Sequence, residues 1–167
     1  AKFRTLRKRN GLTLQDLSAR CIQIDAELAP SVSYLSMIET GQRIPSAELL
    51  EQARRLFQQA VDLDPAFARA HAYLALTLGV LPDYGDRTLA EIQPATRAAA
   101  EAALALDPDS VEAATALIQP LLADSPALLE SIIERGRQLI ARSPGFATAH
   151  QWHGTNLLNA GFVEEAV

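Results

Sequence analysis

Few residues in this sequence have the types and the spacing that catalysis or metal binding requires. His150 and His153 lie three positions apart, which could bring two imidazoles to one zinc ion, but no nearby cysteine or carboxylate completes the ligand set. In the repeating pattern described below, both histidines are expected to face a neighbouring helix. No glycine-rich phosphate loop, nucleophile elbow or Cys–His pair occurs. We therefore expect no metal site, no cofactor and no enzymatic activity.

Charge divides the sequence into a basic beginning and an acidic remainder. Residues 1–45 carry seven Lys or Arg against four acidic residues, and residues 46–167 carry eight Arg against sixteen, so the net charges are +3 and −8. This asymmetry is typical of a polyanion-binding part joined to a part with another partner. The single cysteine, Cys21, favours a reducing compartment, and the longest uncharged run, 70–82, is too short to cross a bilayer as a helix. No leader sequence is recognisable, and a cytoplasmic location is expected.

Helix start and stop signals predict four short helices before residue 63. Asn10-Gly11 ends the first, Thr13 caps the second, Ser31 caps the third, Gly41 ends it, and Ser46 starts the fourth over 46–62. Alanine and leucine are abundant, whereas aromatic residues make up only 5% of the chain. Since this composition favours packed helices, the expected fold class is all-α.

The stretches LRKRNGLTLQDLSAR and SVSYLSMIETGQRIPSAELL resemble the Cro/C1-type (XRE family) helix-turn-helix domain over residues 1–56. Two features depart from that family: about seven extra residues at 24–30 loosen the turn, and Leu14 stands where the family often has a phosphate-binding glutamine. The resemblance rests on Leu6, Arg7, Gly11, Leu12, Thr13, Leu17, Ser18, Ser31, Leu35, Ser36, Ile38, Glu39, Gly41, Arg43, Pro45 and Ser46.

The resemblance implies double-stranded DNA as a partner and 31–40 as the recognition helix in the major groove. It places four residues of that helix at base edges, namely Val32, Ser33, Ser36 and Met37. None of them is an Arg, Asn or Gln, the residues that make bidentate contacts with bases, so modest specificity for DNA sequence is expected. Residues at the helix end and in the first helix would lie near phosphates. The implied DNA-binding residues are Arg7, Lys8, Ser31, Val32, Ser33, Ser36, Met37, Thr40, Gln42 and Arg43.

A second pattern extends from residue 47 to 167. The segment ending at Pro65 reads A-x3-F-x2-A-x4-P, and a helix-ending proline recurs at Pro108 and Pro144, separated by 43 and 36 residues. The pattern resembles the tetratricopeptide repeat, a helix-turn-helix unit of about 34 residues. A loop at 81–87 and a proline-bounded turn near 120–126 would absorb the extra residues. We expect an α-solenoid with second helices at 95–106 and 127–142 and a truncated last repeat.

Repeats of this family bind peptides or partner proteins in a groove lined by their first helices. The resemblance places Arg69, Tyr73, Thr115, Gln151 and Thr155 in that groove, although the same positions also suit ordinary solvent-facing residues. The sequence thus favours a bacterial-type transcription regulator in which the repeats mediate homodimerisation or sense a peptide or protein. The alternative is a scaffold or adaptor that binds only proteins.

Overall fold

The computed structural model describes residues 2–24, 26–27, 29–85, 87–124 and 128–165; within these ranges the side chains of 2, 3, 5, 6, 24, 119–124 and 165 are not described. The described part of the chain is all-α, as predicted, with no strand. None of its helices is long and apolar enough to cross a membrane. The helices are α1 Lys2–Arg9, α2 Leu14–Ile24, α3 Val32–Glu39, α4 Ala47–Leu63, α5 Ala68–Val80, α6 Leu89–Leu106, α7 Val111–Asp124, α8 Leu129–Arg142 and α9 Ala147–Asn159.

The chain divides into two compact units, Ala1–Arg55 and Leu56–Val167, here called unit 1 and unit 2. The division falls within α4, so one continuous helix supplies residues to both units. The position of α4 agrees with the predicted helix over 46–62.

The predicted helix caps of unit 1 are confirmed. Gly11 and Gly41 adopt φ angles of 66° and 74°, a left-handed conformation that glycine tolerates best. The Thr13 hydroxyl accepts a hydrogen bond from the Asp16 amide (3.0 Å), and the Asp16 carboxylate accepts one from the Thr13 amide (2.8 Å), which together form a capping box. The Ser31 hydroxyl accepts a hydrogen bond from an amide in the first turn of α3. Short-range hydrogen bonds therefore fix where these helices begin and end.

The last of the extra residues between α2 and α3 is hydrogen-bonded to α2. The buried Ser18 hydroxyl donates a hydrogen bond of 2.8 Å to the carbonyl oxygen of Pro30. Both α1 and α2 contact α3, and Leu35 of α3 is buried with 3% of its surface exposed. The small core of unit 1 is thus organised around one side of α3.

Unit 2 is a series of helical hairpins. The helix α5 packs against α6 and α7, α7 packs against α8 and α9, and α8 packs against α9. Arg142, at the end of α8, donates a hydrogen bond to the carboxylate of Asp109, which lies just before α7, so these two helices run antiparallel. The cores between the helices include Ala72 with Ala103, and Ile118 with Ile132.

The three proline junctions of unit 2 have the same local geometry. In each, the residue two positions after the proline donates its amide to the carbonyl of the residue before it, so proline occupies the second position of a tight turn, where its fixed φ is favourable. This recurrence supports an internal structural repeat. The hydrogen bonds are Phe67 to Asp64 (3.0 Å), Ser110 to Asp107 (3.1 Å) and Phe146 to Ser143 (2.9 Å).

The predicted second helix at 95–106 is longer than expected, because α6 begins at Leu89. A capping box between Thr88 and Glu91 starts the helix, and Pro94 is accommodated inside it. The turn predicted near 120–126 is wrong in its first part, since α7 continues to Asp124; residues 125–127 lie outside the described residues. The other predicted second helix, at 127–142, corresponds to α8, and its predicted first residue also lies outside them.

Candidate functional site

The candidate DNA-binding helix α3 has a buried side and an accessible side. Leu35 and Glu39, four residues apart, form the buried side. Helical spacing puts Ser33, Met37 and Thr40 on the opposite side, where Ser33 and Thr40 are exposed and Met37 is half-buried. The two remaining residues expected at base edges, Val32 and Ser36, are also half-buried. The accessible surface of α3 is therefore made of small hydroxyl side chains and one thioether.

An ion cluster holds the end of α3 against α1. The Arg7 guanidinium donates two hydrogen bonds to the Glu39 carboxylate, from Nε to Oε1 (2.6 Å) and from Nη2 to Oε2 (3.0 Å), and a third to the Leu12 carbonyl oxygen (2.7 Å). Arg4 adds a hydrogen bond of 3.3 Å to Oε2. Since only 4% of Glu39 is exposed, the cluster satisfies a buried carboxylate.

This cluster gives Arg7 a structural role besides the electrostatic one expected of it. Its side chain is only 11% exposed, and three of its donor atoms are engaged by Glu39 and the Leu12 carbonyl, so its charge is neutralised inside the unit. The hydrogen bonds from Arg7 lower the pKa of Glu39 below its ordinary range, and Glu39 raises the pKa of Arg7. Arg7 is therefore placed to support α3, and a phosphate would have to compete with a buried carboxylate for it.

Exposed cations lie near α3. Lys8 and Arg9 directly follow Arg7 and are exposed, so the pairing of Arg7 with Glu39 brings the end of α1 close to the end of α3. Arg43 is also exposed, and its guanidinium carbon lies 5.6 Å from the centroid of the Tyr34 ring, a cation–π geometry. The exposed cations therefore lie along α3, two near its C-terminal end and one beside its first turn.

Tyr34 positions the segment that carries Arg43. Its hydroxyl accepts a hydrogen bond from the Ser46 amide (2.7 Å) and donates one to the Ile44 carbonyl (3.4 Å). Sequence reasoning missed both Tyr34 and Arg9. The basic run at 7–9 was visible in the sequence, whereas the role of Tyr34 depends on contacts ten and twelve residues away.

The other residues expected near DNA differ in what they can donate. Gln42 is exposed, and its amide can donate to an anion. Thr40 is exposed, but its hydroxyl donates back to the carbonyls of Ser36 (2.9 Å) and Met37 (3.1 Å). Ser31 is exposed, and its hydroxyl oxygen caps α3. Gln42 and the exposed cations are thus the better phosphate ligands.

The lowered pKa of Glu39 predicts a pH dependence for the stability of unit 1. The folded state favours the ionised carboxylate, so its stabilising effect is complete above the ordinary Glu pKa of 4.5 and is lost as pH falls through the lower folded pKa. Replacing Glu39 with Gln should flatten the fall in stability below that pH, as measured by urea unfolding at a series of pH values. Glu27→Gln, at an exposed carboxylate of the same unit, is the control and should change the slope less. Parallel curves for Glu39→Gln and the parent protein would contradict the assignment.

The groove expected in unit 2 is closed at its centre. Thr115 of α7 is fully buried, with 0% of its surface exposed, so its expected place in an open groove is wrong. The Trp152 side chain of α9 lies against Gly79 of α5, and α7 contacts both helices. The three first helices therefore pack together at this level and leave no open channel at Thr115.

Two of the residues expected in the groove line a cavity of about 250 Å³. Gln151 and Thr155 line it together with Trp152, and the carboxylate of Asp83 and the amide of Asn159 lie at the same cavity. The other two expected groove residues lie elsewhere. Arg69 is exposed and does not line the cavity, and the Tyr73 ring stacks on Phe57 with centroids 5.6 Å apart.

The two histidines that suggested a metal pair have different environments. His153 is buried against Gly136, as expected for a residue facing a neighbouring helix. His150 is exposed instead, and its Nε2 lies 3.0 Å from the Pro144 carbonyl oxygen. The same contact joins His71 to Pro65 in the first repeat, so it belongs to the repeated turn. Within the part of the chain that the structure describes, no group of three or more His, Cys, Asp or Glu could hold a metal ion.

Comparisons with protein-family models, with curated proteins and with solved structures give no match to the chain. Two surfaces of the described residues are candidates for function, the accessible side of α3 in unit 1 and the cavity beside Trp152 in unit 2.

Proposed function

We propose that the protein is a transcription regulator that binds double-stranded DNA through unit 1. The observation that carries the proposal is α3 itself, a helix whose end is held by a buried ion cluster, whose accessible side has small residues and near which exposed cations lie. Small residues let a helix approach base pairs closely, and Lys8, Arg9 and Arg43 can neutralise phosphates. The resemblance to the Cro/C1-type family points to the same surface.

The chemistry of this surface favours binding through phosphates over reading of base edges. Ser33 can form single hydrogen bonds and Met37 can contact a thymine methyl group, but neither makes the bidentate contacts that discriminate strongly. Specificity then depends on DNA shape and on two copies binding adjacent half-sites. A homodimer follows from this reasoning, since one such helix reads only a few base pairs.

The helices of unit 2 support the second part of the proposal, a role for this unit in dimerisation or in binding a partner. Their order of contacts, in which each first helix packs against its own second helix and the next first helix, is that expected for stacked repeats. The cavity beside Trp152 provides hydroxyl, amide and carboxylate groups next to an aromatic ring, a combination suited to a peptide or protein segment. Unit 2 would thus serve dimerisation or partner sensing.

The proposal predicts DNA affinity that falls steeply with salt. Fluorescence anisotropy of a labelled duplex of mixed sequence, measured at several salt concentrations, should give a linear plot of log affinity against log salt with a slope near −0.9 per phosphate neutralised. Arg43→Ala should weaken binding and reduce the magnitude of that slope by about one. Arg69→Ala, at an exposed arginine of unit 2, is the matched control and should leave the slope unchanged.

The alternative function is a scaffold or adaptor that binds only proteins. The cavity beside Trp152 favours this alternative, because it needs no contribution from unit 1. Folded protein with no salt-dependent affinity for any duplex would refute the DNA-binding proposal. Retention of a protein partner by Arg43→Ala, together with its loss in Gln151→Ala, would then support the adaptor.

A further inference from the structure

A second cavity of unit 2, with a volume of about 380 Å³, lies among α6, α7 and α8. None of its lining residues lines the cavity beside Trp152, and none was expected in the repeat groove. The volume is at the lower end of the range of small-molecule sites, about 300–1,000 Å³. It is large enough for a small organic molecule.

One wall of this cavity is apolar. Leu104 of α6, Leu117 of α7 and Leu139 of α8 contribute alkyl side chains, and Ile118 is buried beneath them with 3% of its surface exposed. Ala114 leaves room between the larger residues. An alkyl chain placed along this wall would be removed from water, which is favourable in proportion to the apolar surface that is buried.

The other wall is cationic and comes from α8. Arg135, Gln138 and Arg142 line it at spacings of three and seven residues, which places them on the same side of the helix. Arg142 is held by the Asp109 carboxylate at 2.8 Å, and that pair fixes the end of α8. Within the described residues, no hydrogen bond or ion pair engages Arg135. The uncompensated charge at the cavity is therefore that of Arg135.

The charge of this cavity contrasts with its surroundings. Residues 56–167 contain six arginines and fourteen acidic residues, yet two of the arginines and no acidic residue line the cavity. Among the described residues, the carboxylates of Asp109 and Glu134 form hydrogen bonds with residues that line the cavity. Asp109 pairs with Arg142, and Glu134 accepts from Gln138 and pairs with Arg137. An anion entering the cavity would meet a cation that is available for binding.

From this combination we propose that the cavity binds a small amphipathic carboxylate, such as a medium-chain fatty acid. The carboxylate accepts hydrogen bonds from the guanidinium of Arg135, which offers paired N–H donors suited to two oxygens. The alkyl chain lies along Leu104, Leu117 and Leu139. Binding of such a ligand does not depend on DNA binding by unit 1, so the two proposals can fail separately.

Isothermal titration of the full chain with octanoate and with octan-1-ol tests the site. Octanoate should bind at one site per chain and more tightly than the alcohol, because only the carboxylate pairs with Arg135. Arg135→Ala should weaken octanoate binding roughly tenfold and leave the weaker binding of the alcohol unchanged. Arg137→Ala, on the same helix but outside the cavity, is the matched control and should preserve both affinities.

Three outcomes would overturn the proposal. The first is the absence of saturable octanoate binding to folded protein. The second is equal affinity for octanoate and the alcohol with no effect of Arg135→Ala. The third is binding of a short peptide with a C-terminal leucine but not of octanoate, which would make the cavity a site for peptide termini.

Discussion

Replacing Arg7 with lysine is expected to destabilise unit 1 even though the net charge of the protein does not change. Lysine retains one positive charge but cannot reproduce the geometry in which Arg7 donates to both oxygens of Glu39 and to the Leu12 carbonyl. The substitution would leave a buried carboxylate with Arg4 as its remaining partner in the cluster. Because an incompletely paired buried charge is among the most costly defects in a folded domain, we expect the largest effect of any single cation replacement in unit 1.

Urea unfolding followed by two signals measures this effect. Far-UV circular dichroism reports helix in both units, whereas fluorescence of Trp152, the only tryptophan in the chain, reports unit 2. Arg7→Lys should shift the circular dichroism transition to lower urea while the fluorescence transition moves less. Lys8→Ala, which removes an exposed cation from the same helix, is the matched control and should leave both transitions nearly unchanged.

The same variants separate the two possible roles of Arg7 in DNA binding. If Arg7 acts through its charge on phosphates, Arg7→Lys should retain affinity and salt dependence, and Lys8→Ala should weaken binding to a similar degree as Arg7→Ala. If Arg7 supports α3, Arg7→Lys should lose affinity in parallel with the stability of unit 1. Full stability of Arg7→Lys would contradict the structural role.

Features set by neighbouring residues were predictable from the sequence. Thr13, Ser31 and Ser46 cap helices because their hydroxyls reach amides three residues ahead, and Gly41 ends α3 because its φ is positive. These are interactions over one turn of chain, so the residue types alone specify them. The start of α6 could also have been predicted, because Thr88-x-x-Glu91 is a capping-box pattern that the predicted helix at 95–106 left out.

Features set by distant residues were not predictable. Arg7 reaches Glu39 across 32 positions, and nothing in a basic run distinguishes a cation that pairs internally from one that faces solvent. The burial of Thr115 has a similar cause. Its polar side chain and repeat position fit an open groove, but α7 packs against α5, α8 and α9, and the residue is buried. The pairing of Arg7 and the burial of Thr115 both depend on which helices pack together. The residues next to each position in the sequence do not determine that packing.

The close helix contacts of unit 2 lead to the second large prediction, at Gly136 of α8. Gly136 is buried, and a Cβ at this position would lie 3.0 Å from Cγ and 3.1 Å from Cε1 of His153, with Nδ1 closer still. His153 is itself buried, so its ring cannot swing into solvent to relieve the overlap. The histidine ring therefore occupies the space that a side chain at this position would need.

Gly136→Ala is expected to destabilise unit 2 although alanine is the better helix former. The higher helix propensity of alanine should stabilise α8 by about 1 kcal/mol, whereas overpacking of a buried contact costs about 1–3 kcal/mol of folding stability. The overlap with a rigid buried ring puts the cost at the upper end, so we expect a net loss of roughly 1–2 kcal/mol. Urea unfolding followed by Trp152 fluorescence would measure this loss of stability, because Trp152 and Gly136 both belong to unit 2.

Two further variants show whether the histidine ring is the cause. Gly145→Ala, at a glycine with no atom within 4 Å of an added Cβ, is the matched control and should be neutral or slightly stabilising. His153→Ala removes the ring, so Gly136→Ala made in that background should no longer destabilise and should show the favourable helix propensity of alanine. The two substitutions would then couple in a double-mutant cycle. If the effects of the two substitutions on stability are additive, the His153 ring does not pack against Gly136. If they are coupled, the ring occupies the space next to the glycine.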